Sequence, residues 1–462
     1  MPAPLSLSCK LSSRVLPIAD GPRLVYLLID IGGGEGGHTL PSNLGFIIDT
    51  SDSMRIRLVT DQQFAELARN GHAQEIMTDG VPAYQITSIP NELMTHFPRR
   101  IDYVTEALAV ASEYLRPVDR FSLVAFAGRA QRVIPFSPGK DRSRLSKAAR
   151  EMEYIQLGDD TQMAEGLAMA FDEVQKGPAE AYATRLILLT DGHTRNVNDC
   201  YDWAKQARKM GIKLTTMGIG AEFNEDLLIP LADMTGGNAY YIESPDQIPD
   251  AFRKELGSAL RISYRNVEVK LQLSGGAELR RVYRALPDLG NFDPGPNMEN
   301  SYALLVGDYD PAAEVALLAE LIVPPTQEGA FRLGQAMLAW DDPSGEQSRQ
   351  NTREEIVAQF SNKVTAPLNE RVMNIVEKVG AFKMGTLALD AAQTASKSAD
   401  PSEKGAATLR LRQAATRLLD LGEHDLADTM LQQADGLENS GSLDPEATKK
   451  LRYETRRMSQ HL

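Results

Sequence analysis

The chain reads as an α/β protein: a doubly wound, mostly parallel, Rossmann-like sheet inserted in a β-sandwich, plus a C-terminal α-helical domain. Three observations predict this. Two short, bulky apolar runs, 44–48 and 186–189, end abruptly in Asp49 and in Thr190-Asp191-Gly192, as strands buried on both faces of a parallel sheet do. Around them, apolar runs alternate with segments of helical periodicity, which calls for a sheet covered by helices on both sides. Beyond residue 260 the pattern changes to short strands separated by Pro-, Gly- and Asp-rich turns, and then to helices alone, which suggests a sandwich followed by a bundle.

Taken in order, residues 5–30 carry strand-like runs, notably 24–29. Strand 44–49 opens the α/β unit. Residues 55–100 form an insert with a helix-like piece at 62–69, an Asp79-Gly80 turn and a short strand after it. Helix 101–115 sets Ile101, Val104, Leu108, Ala111 and Leu115 on one face. Strand 120–126, an antiparallel edge strand at 130–136, helices 140–153 and 161–176, strand 185–190, helix 199–209, strand 212–219, helix 224–234, strand 239–242 and helix 246–260 complete the unit. Strands are expected at 264–273, 277–283, 302–306, 314–323 and 331–340, and helices at 352–362, 366–392, 403–421, 423–437 and 444–459. The predicted division is thus 1–40 and 261–345 for the sandwich, 41–260 for the α/β unit, and 351–462 for the helical domain. The N-terminal strands are expected to pair with the later ones, across the inserted unit.

A chain of 462 residues exceeds what one core usually supports. A net charge of −14 argues against nucleic acid or an anionic membrane surface as partner, since both need basic protein surface. Cys9 and Cys200 are too few for a disulfide framework. No signal-peptide pattern opens the chain and no apolar stretch reaches bilayer length, so a cytoplasmic protein is expected.

The chemistry concentrates at the ends of the buried strands, where open α/β sheets place their ligands. Asp49, Ser51 and Ser53 put three oxygen-bearing side chains at alternate positions after the first strand. Carboxylate and hydroxyl oxygens suit a hard divalent cation; alone, the same three residues would also serve as a polar turn with a serine capping a helix. Thr161, in the polar turn that opens helix 161–176, and Asp191 would complete most of an octahedron of oxygens.

Together these segments resemble the metal-ion-dependent adhesion site of von Willebrand factor type A domains, whose three motifs are an Asp-x-Ser-x-Ser, a Thr on a later loop and an Asp after an apolar strand. The resemblance implies that Ser51, Ser53 and Thr161 contact a cation through hydroxyls, and that Asp49 and Asp191 hold it directly or through water, with Mg²⁺, or Ca²⁺ or Mn²⁺, as the ion. It implies a non-enzymatic interaction module that captures a carboxylate of another protein at the open coordination position. Bacterial intracellular proteins with this domain, a β-sandwich and a helical tail resemble the whole layout, and partners suggested by them are AAA+ ATPases of the MoxR type or a bacterial signalling complex. The insert 55–100 departs from the family, which passes almost directly into its first helix; it leaves beside the metal loop and is expected near the rim of the site. Asp52 stands where the family commonly has Gly, and Asp159 and Asp160 precede Thr161 where small residues are usual. These extra carboxylates are expected to strengthen cation binding and make partner binding conditional.

The alternative is a metal-dependent hydrolase that uses the Asp cluster to activate water, for which no general base or second metal is evident. A formal Gly-x-Gly-x-x-Gly at 32–37 runs towards another strand rather than a helix, so it lacks the helix N-terminus that a pyrophosphate needs. No Walker-type phosphate loop occurs. His193 reads as a surface side chain.

Overall fold

The computed structural model describes residues 5–34, 39–57, 61–78, 81–86, 97–158, 160–177, 182–220, 222–341, 349–363 and 365–461. The chain starts in the sandwich, with β1 (Leu5–Leu11), the two-residue β2 (Val15–Leu16) and β3 (Arg23–Gly33). Glu35 to His38, the last part of the glycine-rich run, lie outside the described residues, and the next element is a strand, β4 (Ser42–Asp49), not a helix.

After β4 comes the insert, with α1 (Asp61–Arg69) and a hairpin of β5 (Ala73–Thr78) and β6 (Val81–Ile86). The helix and second strand follow the sequence pattern; β5 was not foreseen. The stem of the insert closes on itself where Arg57 bridges Arg99. The α/β unit then continues through α2 (Arg100–Tyr114), β7 (Arg120–Phe126), β8 (Ala130–Pro138), α3 (Ser143–Glu151), α4 (Met163–Val174), β9 (Ala183–Thr190), α5 (Val197–Lys209), β10 (Lys213–Ile219), α6 (Glu225–Thr235), β11 (Ala239–Ile242) and α7 (Ile248–Ala259).

Its sheet runs β11-β10-β9-β4-β7-β8, parallel throughout except for the antiparallel edge strand β8. β4 is central, and every one of its residues is buried. Alternation along the strand divides its side chains: Leu44, Phe46 and Ile48 enter the core under α2 and α7, while Ile47 joins the core formed with α4 and α5. Burying each such side chain contributes about 1.5–3 kcal/mol. A strand buried on both faces in this way needs helices on both sides of its sheet, which is the doubly wound arrangement observed.

The sandwich resumes with β12 (Tyr264–Leu273), β13 (Glu278–Leu286), β14 (Gly290–Phe292), β15 (Ser301–Tyr309), β16 (Val315–Val323), β17 (Gly329–Trp340) and β18 (Gln350–Phe360). One sheet has the order β1-β3-β16-β13-β14 and the other β15-β12-β17-β18-β2. β3 pairs with β16 in a long antiparallel register, Leu27 opposite Ala319, so the first strands of the chain are completed by strands nearly three hundred residues later. The α/β unit is inserted between them.

β18 corrects the expectation of a helix over 352–362. Residues Ile356, Ala358 and Phe360 are buried and their neighbours exposed, a period of two that outweighs the helix-favouring Glu and Gln of the run, because the strand pairs along its whole length with β17. The helical region therefore begins at α8 (Glu370–Ser396) and continues with α9 (Pro401–Asp420), α10 (His424–Asn439) and α11 (Pro445–Arg457). Asn369, Asp400 and Asp444 cap the starts of α8, α9 and α11 by accepting backbone N–H hydrogen bonds.

The helices are not a free tail. Val372, Ile375, Val379 and Phe382 of α8 share one core with Leu28, Tyr283, Ala316 and Leu318 on the outer face of the first sheet. α11 also reaches the α/β unit: the Lys449 ammonium lies 3.4 Å from Glu225 and 4.3 Å from the centre of the Phe223 ring. Arg456 pairs with Asp233, which also accepts from Arg284 of the sandwich at 3.2 Å. No helix among the described residues is long and apolar enough to cross a membrane.

Candidate functional site

Three loops at the carboxyl end of the central sheet meet at one point. β4 delivers Asp49 and turns into a single 3-10 turn at Asp52–Arg55. The Asp49 carboxylate organises this turn: Oδ1 accepts the Ser51 backbone N–H at 2.9 Å, and Oδ2 accepts the Thr190 hydroxyl at 2.6 Å. The Ser51 and Ser53 hydroxyls are 3.0 Å apart, and Ser53 donates to Asp191 Oδ1 at 2.7 Å. β9 therefore brings Thr190 and Asp191 against the first loop, two strands side by side in register.

Thr161 arrives on the loop before α4. Its carbonyl accepts the Thr194 hydroxyl at 2.8 Å, while the next residue's backbone N–H bonds Ala127 at 2.7 Å. A Cβ added to Gly192 would lie 3.1 Å from the Thr161 hydroxyl oxygen and 3.9 Å from Asp49 Oδ2. Glycine at 192 thus leaves a hollow between hydroxyl and carboxylate that any side chain would fill. Thr161 and Asp49 flank this space, and Ser51, Ser53 and Asp191 are linked to Asp49 by the hydrogen bonds above; of these five residues singled out by the motif pattern, four are buried and Ser53 is half-buried.

The donor set is oxygen only: two carboxylates and three hydroxyls. Among the described residues no three or more His, Cys, Asp and Glu side chains gather as a metal cluster, so any ion held here depends on the hydroxyls, a combination that fits a hard cation and not a soft one. Burial pushes the Asp49 carboxyl up to about 6, with the negative charge of Asp191 adding to the effect. Burial also raises Asp191, although Ser53 and Arg100 oppose the rise. Two buried carboxylates this close repel one another, a repulsion that a bound cation would relieve.

The neighbouring carboxylates are placed differently. Asp52 is exposed on the first turn. Asp160 Oδ1 accepts the Thr161 backbone N–H at 3.0 Å, its other oxygen accepts from Gln162 at 3.3 Å, and Arg195 stands 3.6 Å away; it shapes the loop. Asp159 lies outside the described residues, and His193 is exposed.

The motif reasoning missed Arg100. Its Nη1 donates to Asp191 Oδ2 at 2.8 Å and to the Ser53 carbonyl at 3.2 Å. A signal was present: Arg100 is the first residue of α2, where the helix dipole disfavours positive charge, and a local rule broken there points to a requirement of the fold or site; the Asp102 carboxylate of the same turn is taken by Arg99. Thr190 and Thr194 were also missed, since their partners become visible only when β9 lies beside β4.

Residues 94–254 match the family model described as the von Willebrand factor type A domain. This chain carries a von Willebrand factor type A domain. The match begins near the end of the insert, so the strand with Asp49, Ser51 and Ser53 joins the type A domain through its pairing with β7 and β9. A second model, the Sll0103-like C-terminal alpha-helical domain, covers residues 370–461, which are α8 to α11. The uncharacterized protein sll0103 of Synechocystis is 25% identical over 253 residues, 54% of this chain and 59% of that protein. The chain spans less than two thirds of the length of the curated relatives it matches. Among solved structures, a von Willebrand factor type A protein from Catenulispora acidiphila covers 99% of this chain and 97% of its own, with TM-score 0.74 and 17% identity. The ArnB paralog VWA2 from Sulfolobus acidocaldarius covers 99% of both, with TM-score 0.55 and 15% identity. At these identities the likeness is one of fold, and it extends over all three units of the chain.

Proposed function

We propose that the type A domain of this chain is a non-enzymatic interaction module that holds a divalent cation, Mg²⁺ by preference, with Asp49, Ser51, Ser53, Thr161 and Asp191, and binds a carboxylate of a partner protein through it. The observation that carries this reading is the hollow beside Gly192, with Thr161 and Asp49 on its walls and the Ser51–Ser53–Asp191 hydrogen-bond chain next to it. Three of the five donors are neutral, so the ion they would hold keeps much of its charge and attracts an anionic oxygen. The match of residues 94–254 to the von Willebrand factor type A domain supports the same reading.

Hydrolysis is less well served by the arrangement. A water-activating site needs a base within reach of the water, and the nearby His193 and Asp52 side chains are exposed to solvent while Asp160 is engaged by its own loop. The partner classes proposed are a MoxR-type AAA+ ATPase or a bacterial signalling component.

Titration calorimetry with Mg²⁺ and Mn²⁺ tests the cation. The wild type is expected to bind one ion per chain, and Thr161→Ala to weaken binding at least tenfold with the fold intact by circular dichroism. Affinity capture with and without EDTA then tests the partner, which should be lost with EDTA and with Thr161→Ala alike. A wild type that binds neither ion, or a Thr161→Ala variant that binds as the wild type does, overturns the reading.

A further inference from the structure

We propose that Arg100 is a second anion-binding arm of this site, which takes the oxygen of the partner carboxylate that the cation leaves free. The inference rests on the proposed function above and names a residue outside the family's three motifs.

Arg100 stands directly against the candidate ligands. Both hydrogen bonds of its guanidinium run from Nη1, to Asp191 Oδ2 at 2.8 Å and to the Ser53 carbonyl at 3.2 Å. Among the described residues the buried Nε has no acceptor. Nη2 points along Gly220, 3.5 Å from where a Cβ on that residue would be. The Arg100 side chain is 16% exposed, so part of it stays open to an incoming group.

Charge counting gives this position its consequence. Asp49 and Asp191 cancel a divalent ion and the three hydroxyls add nothing, so the loaded site would be neutral without Arg100. Arg100 adds a positive charge against Asp191 that favours a carboxylate and works against the negative charge of Glu222 on the same group. The planar fork of a guanidinium matches the two oxygens of a carboxylate, so cation and Arg100 together could grip one oxygen each. The same positive charge competes with the ion for Asp191. Arg100 thus trades cation affinity for anion affinity. Its location at the first residue of α2, where a cation is unfavourable, is consistent with a role in binding rather than in helix stability.

The test uses the full chain, Mn²⁺ as the ion probe and acetate as the carboxylate probe. Mn²⁺ binding is read by electron paramagnetic resonance, and acetate binding to the Mn²⁺-saturated protein by water-proton relaxation. Arg100→Gln is expected to bind Mn²⁺ severalfold more tightly and acetate about ten- to a hundredfold more weakly, the range of a charged hydrogen bond lost. Arg100→Lys keeps the charge without the fork; it should keep near-wild-type Mn²⁺ affinity, bind acetate at an intermediate level, and serve as the test if Arg100→Gln does not fold. Unchanged acetate binding in these variants, with Mn²⁺ binding retained, overturns the role of Arg100 and leaves the interaction module standing. A wild type that binds no Mn²⁺ overturns both.

Discussion

The Glu255 carboxylate is fully buried beneath the type A sheet, and Arg185, Thr215, Asn238 and Tyr240 converge on it, the last three at 2.6, 2.9 and 2.9 Å. Burial by itself would raise this carboxyl, but Arg185 and the three hydrogen bonds outweigh it and hold the group below the ordinary glutamate range. A folded pKa lower than the unfolded one means that the ionised group stabilises the fold above the unfolded value of about 4.3. That stability is lost as the pH falls below this value towards the depressed one. Glu255→Ala is expected to cost about 3–5 kcal/mol, because Arg185 is left buried without its partner, as urea denaturation at neutral pH would measure. Glu255→Gln should flatten the acid limb of the stability curve. Side chains of this kind also mark the limit of reading residues from sequence. Asp49, Ser51 and Ser53 were legible because they are adjacent and their spacing is itself a chemical pattern. Arg100, Thr190 and Glu255 were not, since nothing near them in the chain names the groups they meet.

At the scale of elements, the link from α11 to the α/β unit is the most testable. Phe223 is buried under the Lys449 ammonium and packs edge-on against Tyr453, with ring centres 6.2 Å apart. Gly218 of β10 lies beneath the same ring, and a Cβ there would fall 2.5 Å from it. Because the ring is enclosed on the other side, Gly218→Ala should force it outward at a cost of about 1–3 kcal/mol, typical of overpacking. A lower urea midpoint with unchanged slope would show this; an unchanged midpoint would mean that the ring moves freely. The alternation of strands and helices in the type A unit was legible to within a few residues, since each buried strand is centred on bulky apolar residues and the helices between them carry apolar residues at helical spacing. β18 was not, because its outward face carries Arg353 and Glu355, and only the pairing with β17 reveals that Ile356, Ala358 and Phe360 form an inward face.

At the scale of the whole molecule, the sandwich is the hub. One of its sheets is covered by the other sheet on the inner side and by the helical region on the outer. Removing residues 370–462 would bare Leu28, Tyr283, Ala316 and Leu318 together, an apolar surface of the kind that drives association. The truncated chain is expected to aggregate or to elute as oligomers on gel filtration, whereas the full chain should not; a monodisperse truncation would show that the sheet tolerates the loss. Most helices and strands were legible in the sequence, but not that helices and strands share a core, because an apolar stripe does not say which surface it meets.

The pairing of β3 with β16 bears on how the protein is made. Ile31 faces Val315 in that register, so a ribosome must add the whole α/β unit before the partner strand exists. At about 5–20 residues per second this takes roughly 15–60 s. During that interval the first hairpin has an unfilled edge and an uncovered apolar face, while the type A unit already has every strand of its own sheet. The nascent chain is thus expected to complete its middle first and to need protection at its beginning.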